Sequence, residues 1–230
     1  ASARSATAPP PEPPLARAPC VRCCVGDSGP VVSIECSERN IFASSFDGCV
    51  RLWDWSGQQV RSIGAHDGHC SGLELVEGGG RFLSGGDDGM ARLWDTETGE
   101  MILMFAAGRG GAVWSIRHCP NRQHVLTGAT NGCLVQTDMR SGRVVHAHEA
   151  AHDDAIAGVQ LDDFKVVTAS FDSSCKIWDL RMGLTLRTTL LAPPLTRCTR
   201  CAYDESKIVA GLTLRQCCAL RLCVMCICGL

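Results

Sequence analysis

Four segments of this 230-residue chain end in nearly the same way, and they recur at a nearly constant spacing. Each segment starts with Asp or Asn and closes on Asp, over residues 47–54, 88–95, 131–138 and 172–179. The position before the closing Asp advances in steps of 41, 43 and 41 residues, and it holds Trp in all segments but the third, which has Thr137. A fixed period in this range predicts a repeat architecture, in which each supersecondary unit stacks on its neighbours.

The fourth segment lies in a unit that divides into four short strands, which we letter A to D. Apolar runs bounded by turn residues predict these strands over residues 155–161, 165–170, 175–178 and 184–190. The corner between strands B and C holds Asp172-Ser173 in this unit, and Asp-Gly or Asn-Gly in the other units. Such pairs tolerate the positive φ of tight hairpins, so strands B and C of each unit are expected to be antiparallel neighbours.

The period, the strands and the Trp-Asp ending together resemble the WD repeat over residues 26–213. The resemblance implies an all-β fold, a WD-repeat β-propeller in which every unit is one blade. It predicts four complete blades, and the strands predicted over residues 197–203 and 207–213 begin a partial fifth. Because this number falls short of the ring usual in the family, we expect an incomplete, open ring with exposed strand edges and blade faces.

The two ends of the chain differ in composition from the repeats. Residues 1–20 contain six of the ten prolines, which predicts a disordered Pro/Ala-rich linker over residues 1–25, with a transit peptide as the alternative. Residues 214–230 contain five cysteines and no acidic residue. We interpret them as an atypical Cys-rich tail, which arises from a splice or frame difference or serves as a native capping strand.

WD repeats often carry a hydrogen-bonded tetrad of His, Ser or Thr, Asp and Trp, and the fourth unit has a candidate for every member. The resemblance assigns these roles to His152, Ser170, Asp172 and Trp178. A buried indole N–H needs an acceptor, and a buried polar network must be fully satisfied. The tetrad would therefore tie a loop, a strand and a turn together.

The other three units carry only parts of this tetrad. The second has His66, Asp88 and Trp94, with Gly86 assigned to the serine position, and the first has Ser45, Asp47 and Trp53, with Asp27 in place of the histidine. The third has Arg109, Asn131 and Thr137 where His, Asp and Trp are usual. We therefore expect the third blade to be the softest.

The set His152, Ser170 and Asp172 also contains the residue types of a hydrolase triad. Nucleophilic catalysis requires an exposed serine, an oxyanion hole and a cleft for the substrate. The repeat accounts for the same residues without any further assumption. We therefore predict no catalytic residues and a protein that is not an enzyme.

The sixteen cysteines suggest either disulfides or a metal site. Three Cys-x-x-Cys pairs occur, but Cys198 and Cys201 fall in a predicted strand, where positions i and i+3 point to opposite faces. No Cys/His spacing matches a zinc finger. We expect free thiols, with no bound metal and no cofactor.

The residue just before each B–C turn is expected to lie on one face of the propeller, where loops commonly bind partners. These residues are Phe46, Asp87, Thr130 and Phe171. Exposed phenylalanines on one rim are suited to anchor a protein interface. The alternative is that each phenylalanine packs onto the neighbouring blade.

The opposite face carries a second motif. The sequence from Trp178 to Arg181 resembles the docking box of WD-repeat substrate receptors for cullin-based ubiquitin ligases, and the sequence ending at Arg140 is a partial copy. Residues 161–170 also resemble a corner of F-box/WD-repeat proteins. These resemblances imply a ligase adaptor and a substrate as partners, with Arg140 and Arg181 as guanidinium groups for carboxylate or carbonyl acceptors.

The overall composition limits the remaining possibilities. The net charge is −2, and there is no basic stripe, so we expect no nucleic-acid partner. No apolar run reaches the length of a transmembrane helix, so we expect no membrane partner. The sequence therefore predicts a non-enzymatic protein-interaction scaffold, cytoplasmic or nuclear, with a ubiquitin-ligase receptor, a scaffold in a signalling or RNA-processing complex, and a hydrolase as alternatives.

Overall fold

The computed structural model describes residues 29–192, 196–203, 207–214 and 217–226, so the predicted linker at residues 1–25 lies outside the described part. The described residues form nineteen β-strands and two short 3₁₀ turns, at Glu77–Gly79 and Pro120–Arg122. Within these residues, no helix has the length and the apolar character needed to cross a membrane. The predicted all-β class is confirmed.

The strands fall into five antiparallel sheets. The first holds β1 (Val31–Cys36), β2 (Asn40–Ser45), β3 (Cys49–Asp54) and β4 (Gln59–Gly64). The second holds β5 (Cys70–Val76), β6 (Arg81–Gly86), β7 (Met90–Asp95) and β8 (Met101–Ala106). The third holds β9 (Val113–Cys119), β10 (His124–Ala129), β11 (Leu134–Asp138) and β12 (Val144–His148). The fourth holds β13 (Ile156–Leu161), β14 (Lys165–Ser170), β15 (Ser174–Asp179) and β16 (Thr185–Leu191).

The fifth sheet has three strands, β17 (Thr196–Tyr203), β18 (Lys207–Leu214) and β19 (Cys217–Cys226). Strand β19 pairs with β18 in antiparallel register, so that Cys223 lies opposite Ala210. This pairing corrects the predicted boundary after residue 213, because much of the expected Cys-rich tail is the third strand of the fifth sheet. Four complete blades and a partial fifth are present, as predicted.

The core lies between neighbouring blades, since each sheet presents an apolar face to the next. At the first interface, Phe42 and Leu52 pack with Leu73, Phe82 and Trp94 of the second blade. The Phe42 and Phe82 rings are 5.6 Å apart between centroids. Burial of these faces from water supplies the main attraction that holds the blades together.

The glycine of each B–C turn joins its blade to the loop that enters the next one. Gly48 has φ of +80°, and its carbonyl accepts hydrogen bonds from the N–H groups of Ala65 and His66. A Cβ atom at this position would lie 2.5 Å from the carbonyl oxygen of His66. The recurrent Asp-Gly or Asn-Gly pair is therefore required both by the turn and by the close approach of two blades.

The ring is open in the described part of the chain. Each inner strand packs on the inner strand of the following blade, from β1 through to β17, but no comparable packing joins β17 to β1. Ile34 of β1 is 62% exposed, whereas Leu73, at the same position of the second blade, is 2% exposed. The first blade therefore presents an apolar face that no described blade covers.

Candidate interaction sites

A hydrogen-bonded network in the fourth blade joins the loop before β13 to strands β14 and β15. Trp178 Nε1 donates to Thr168 Oγ1 at 3.0 Å, and His152 Nε2 lies 2.7 Å from the same oxygen. His152 Nδ1 lies 2.8 Å from Asp172 Oδ2. With the proton on Nδ1, His152 donates to Asp172 and accepts from the Thr168 hydroxyl, so every member is satisfied.

The prediction that Ser170 supplies the hydroxyl of this network is wrong. Ser170 Oγ donates to the carbonyl oxygen of Asp154 at 3.0 Å and accepts from the N–H of Asp172 at 3.1 Å. Val166 is the direct cross-strand partner of Trp178, and Thr168 is the next residue along β14 on the same face. Thr168 is thus the diagonal neighbour of the Trp178 indole, whereas Ser170 lies two residues further along the strand and is not adjacent to the indole.

The second blade contains a complete network, which sequence reasoning missed. Trp94 Nε1 donates to Ser84 Oγ at 2.9 Å, His66 Nε2 lies 2.7 Å from that oxygen, and His66 Nδ1 lies 2.9 Å from Asp88 Oδ1. The assignment of Gly86 to the serine position is therefore wrong. The hydroxyl belongs to Ser84, two residues earlier, just as Thr168 lies two residues before Ser170. Ser84 and Thr168 are each the fourth residue of strand B in their unit, and this shared position could have identified the hydroxyl from the sequence.

Neither the first nor the third blade forms the network among its described residues, and Asp27, predicted at the histidine position of the first blade, lies outside the described part. Ala43 occupies the hydroxyl position of the first blade, and Ser45 donates instead to the carbonyl oxygen of Gly29 at 3.1 Å. Asp47 pairs with Arg51 at 2.7 Å, and Trp53 is buried in the sheet. The Asp47–Arg51 pair ties the B–C turn of the first blade to its own strand C, and the Ser45 hydrogen bond ties the end of strand B to the residues before strand A.

In the third blade, Thr127 has the tetrad hydroxyl position but donates to the carbonyl oxygen of Ala107 at 3.0 Å. Thr137 is fully buried, and its hydroxyl has no hydrogen-bond partner among the described residues. Arg109 points away to Glu149 at 2.8 Å, and Asn131 Nδ2 donates to the carbonyl oxygens of Gly108 and Arg109. The lower stability of this blade stays a prediction, and the unpaired hydroxyl of Thr137 is one structural feature in agreement with it.

The charges of the two complete networks are set by burial and by hydrogen bonds. Burial lowers the pKa of His66, against the opposing influence of Asp88, so the ring favours its neutral form. Burial alone would raise the pKa of Asp172, but the hydrogen bonds from His152 and Ser174 outweigh it and hold that pKa below its usual range. Ser170 and Thr168 are fully buried, so neither hydroxyl is placed to attack a substrate.

The inner strands of all five blades surround a central cavity of about 450 Å³, whose entrance we call the channel mouth. The predicted binding residues Phe46 and Phe171 both line it, together with His69, Trp114 and Arg200. Phe46 stacks on His69 with centroids 4.1 Å apart, and Trp114 meets Phe171 edge-on at 5.6 Å. Phe46 thus packs on the second blade, as the second alternative predicted, and remains 44% exposed.

The other two residues predicted on this face differ in their surroundings. Asp87 Oδ2 lies 3.0 Å from His69 Nδ1, so it borders the channel mouth through the ring that stacks on Phe46. Thr130 Oγ1 instead accepts a hydrogen bond from the N–H of Ala112 at 2.9 Å. Asp87 is exposed, whereas Thr130 is half-buried and its hydroxyl is directed at the backbone.

Arg140 and Arg181 lie on the C–D turns at the opposite end of the blades, and both are exposed. Arg181 Nη2 donates to Asp179 Oδ2 at 2.9 Å and Arg181 Nε donates to Asp179 Oδ1 at 3.2 Å. Arg187 Nη2 also donates to Asp179 Oδ2, at 2.8 Å. These hydrogen bonds, that from Arg181 first, hold the pKa of the Asp179 carboxyl below its usual range. The guanidinium of Arg181 is therefore already engaged along one edge.

The eight cysteines from Cys36 to Cys201 are free thiols, and five of them are buried. The expectation that Cys198 and Cys201 point to opposite faces is wrong, because a β-bulge between Cys198 and Arg200 turns both towards the fourth blade and Cys175. Burial raises the pKa of the Cys201 thiol to about 12. Within the described ranges, no group of three His, Cys, Asp or Glu residues is placed to hold a metal ion.

Comparisons with known proteins agree with this architecture. The family model described as WD domain, G-beta repeat, matches residues 18–54, 57–95 and 143–179, and so leaves out most of the third unit. The WD40 β-propeller domain of Doa1 superimposes with a TM-score of 0.70 at 19% identity, over 82% of this chain and 62% of that chain. At that identity the similarity shows the fold alone.

Two curated relatives come from Arabidopsis thaliana. The chain is 33% identical to its guanine nucleotide-binding protein subunit beta, over 64% of this chain and 42% of that protein. It is 30% identical to its autophagy-related protein 16, over 56% of this chain and 25% of that protein. The chain thus spans less than half the length of either relative. On the repeat matches, the four Trp-Asp-type units and the propeller fold, the chain belongs to the WD-repeat family of β-propeller proteins.

Proposed function

We propose that the chain is a protein-interaction scaffold that binds a partner at the channel mouth. The observation that carries the proposal is the joint contribution of all five blades to one cavity with aromatic walls. Phe46, Trp114 and Phe171 offer large rigid surfaces, which are the side chains that anchor protein interfaces most often. WD-repeat proteins act in general by binding other proteins, and the proposal assigns that role to this face.

The charge at the channel mouth limits the kind of partner that fits. The guanidinium of Arg197 lies 4.8 Å from the centroid of the Phe171 ring, and Arg200 lines the cavity beside it. These cations disfavour a basic side chain at the same ring. Near Phe171 the mouth is therefore suited to an apolar residue of the partner that has neutral or acidic neighbours, whereas Asp87 places a carboxylate beside His69.

Affinity purification from cells tests the proposal with three variants. Phe46→Ala and Phe171→Ala remove the two anchors and should each reduce recovery of the same partners at least about fivefold, because interface anchors commonly contribute more than 1 kcal/mol. Trp55→Ala is the matched control, since Trp55 is also an exposed aromatic residue but lies on the C–D turn at the opposite end of the first blade. Equal partner recovery with all three variants would contradict binding at the channel mouth.

A hydrolase is the alternative function, and it has a direct test. A fluorophosphonate probe labels only an activated, accessible serine. We expect no labelling of Ser170 in the folded protein, because its hydroxyl is buried and bonded to Asp154. Labelling that disappears in Ser170→Ala would contradict the scaffold function.

The second candidate is a substrate receptor of a cullin-based ubiquitin ligase, with the adaptor docked at Arg140 and Arg181. The favouring observation is that both side chains are exposed on C–D turns of adjacent blades, at the end opposite Phe46 and Phe171. Adaptor binding should fall at least about tenfold in Arg140→Ala/Arg181→Ala and be unchanged in Phe46→Ala. A pull-down in which the double variant retains the adaptor would remove this candidate and leave the general scaffold function.

A further inference from the structure

A second cavity, of about 450 Å³, lies beside the C–D turn of the fourth blade, and we call it the blade-four cavity. Its lining includes Phe164, Ile177, Trp178, Arg181 and Arg187, and all of its described lining residues belong to the fourth blade. Ile177 packs with Cys201 of β17, so the cavity opens on the side that faces the fifth sheet. Phe164 is 59% exposed, which leaves an aromatic wall accessible to a binding partner.

The preceding blades show what fills the equivalent position. Leu93 of the second blade corresponds to Ile177, and it shares a core cluster with Met139 of the third blade. Leu180 of the fourth blade packs in the same manner with Leu126 and Leu134 of the third. Met139 and Leu180 each follow directly on the aspartate that ends strand C. At these two interfaces, the surface at the end of a blade thus accepts a long aliphatic side chain from the next C–D turn, whereas Thr96 has the corresponding position in the second blade.

In the fifth sheet, the strand-C position is β19, which is the last part of the chain that the structure describes. No described residue therefore supplies the aliphatic side chain that Met139 and Leu180 supply to the earlier blades. The seventeen-residue stretch 214–230 contains no acidic side chain. The residues that directly follow β19, 227–230, therefore offer no carboxylate side chain to this cavity.

The electrostatics of the blade-four cavity favour such a carboxylate. Asp179 is 5% exposed in its side chain and carries one negative charge beneath two guanidinium groups. The side chains of Arg181 and Arg187 are 60% and 49% exposed, so the accessible rim is cationic. Arg181 also lies over the Phe164 ring, 5.6 Å from its centroid, which holds the charge next to the aromatic wall. Arginine N–H groups not directed at Asp179 can donate to a second carboxylate.

We propose that the blade-four cavity binds a partner protein through an aliphatic side chain followed closely by acidic residues. The aliphatic side chain enters between Phe164 and Ile177, as Met139 enters over Leu93. The acidic residues then meet the exposed edges of Arg181 and Arg187. This surface lies at the opposite end of the fourth blade from the channel mouth, so a second partner could be held at the same time.

Tryptophan indole resonances in ¹H–¹⁵N NMR spectra of the full chain test the proposal. The chain has five tryptophans; Trp178 lines the blade-four cavity and Trp114 lines the channel mouth, so each site has its own reporter. The probe is the capped peptide Gly-Ser-Leu-Asp-Glu-Ser-Gly. We expect a saturable shift of the Trp178 signal, with affinity at least fivefold lower in Phe164→Ala and in Arg187→Ala. Arg109→Ala, which removes an exposed ion-paired arginine elsewhere, should bind as the wild type does.

Two further peptides separate the two halves of the recognition. Replacement of Leu by Ser, or of Asp-Glu by Asn-Gln, should each weaken binding at least threefold. Circular dichroism melting of the Phe164 and Arg187 variants checks that they are folded, which their exposure predicts. No shift of Trp178 at millimolar peptide would overturn the proposal, and so would a shift confined to Trp114, which would support the channel mouth alone.

Two other occupants give distinct results that also overturn the proposal. Self-association in sedimentation velocity that Phe164→Ala abolishes would assign the blade-four cavity to a second copy of this chain. Peptide binding that occurs only after removal of residues 227–230 would assign it to the chain's own final residues. In neither case would the test of the channel mouth with Phe46→Ala and Phe171→Ala be affected.

Discussion

The indole nitrogen of Trp178 lies 3.0 Å from the hydroxyl oxygen of Thr168, across strands β14 and β15 of the fourth blade. That hydroxyl is also 2.7 Å from His152 Nε2, so it stands between two ring systems that come from different segments of the chain. Thr168 therefore controls whether the buried N–H of Trp178 and the buried acceptor of His152 have partners. The corresponding pair in the second blade is Trp94 and Ser84, at 2.9 Å.

Thr168→Val keeps the shape of the side chain and removes the hydroxyl. We expect a loss of about 1–3 kcal/mol in the free energy of unfolding, because two buried polar atoms lose their partner. The indole N–H resonance of Trp178 should also move in Thr168→Val and stay in place in Ser170→Ala. Urea titration and the NMR spectrum measure the two effects, and an unmoved indole signal in Thr168→Val would restore Ser170 as the acceptor.

Thr137→Val in the third blade should have the opposite effect on stability. The Thr137 hydroxyl is buried, and it has no hydrogen-bond partner among the described residues. Its removal therefore relieves the folded state of the free-energy cost of an unpaired buried polar group. We expect the variant to be more stable by about 1 kcal/mol, since the replacement has nearly the same volume. Thermal melting beside Thr127→Val provides the comparison, because Thr127 does have a partner in the carbonyl oxygen of Ala107. Destabilisation by Thr137→Val would indicate a bound water at the hydroxyl.

Ile34 and Leu73 occupy the same position of two consecutive blades and differ in exposure, at 62% and 2%. Leu73→Ala should lower the free energy of unfolding by about 2–5 kcal/mol, because it leaves a cavity between the first two blades. Ile34→Ala should cost less than about 1 kcal/mol, because the side chain is mostly in water. Equal losses in urea titrations would show that the outer face of the first blade is covered in solution.

The buried histidine of the second blade makes stability depend on pH. The pKa of His66 is lowered by burial, so the unfolded chain binds a proton more readily than the folded one. The folded state should consequently lose stability as the pH falls below about 6.5, the ordinary histidine pKa. His66→Asn should reduce the slope of stability against pH between pH 7 and 5. If the slope is the same in His66→Asn, the pH dependence must come from His118 or His124, whose pKa values burial also lowers.

The repeat period, together with the strand and turn patterns, was sufficient to predict the number of complete blades and the strand limits to within one or two residues. Those properties are local, because a four-stranded unit is defined by its own turns and its own alternation of buried and exposed residues. The Asp-Gly and Asn-Gly corners were predicted for the same reason, and Gly48 adds a contact with the next blade that constrains it further.

The tetrad hydroxyl was identified from contacts in three dimensions, and within the fourth unit alone the sequence does not identify it. Thr168 and Ser170 lie on the same face of β14, so alternation along the strand cannot distinguish them. The choice depends on the register of β15 against β14 and on where the loop carrying His152 crosses the sheet. The same limit explains Cys198 and Cys201, where a bulge that the sequence does not signal changes the face of one residue.

The sequence by itself determined the repeated unit, the all-β class and the turn chemistry, because each of these follows from residues within one blade. Only the tertiary structure decided which residues of different blades meet. It brought Phe46 and Phe171 to one cavity from turns about 125 residues apart, engaged Arg181 with Asp179, and left Phe164 exposed at the blade-four cavity. Contacts between blades depend on how the sheets stack and twist around the central axis, and no local pattern of residues specifies that arrangement.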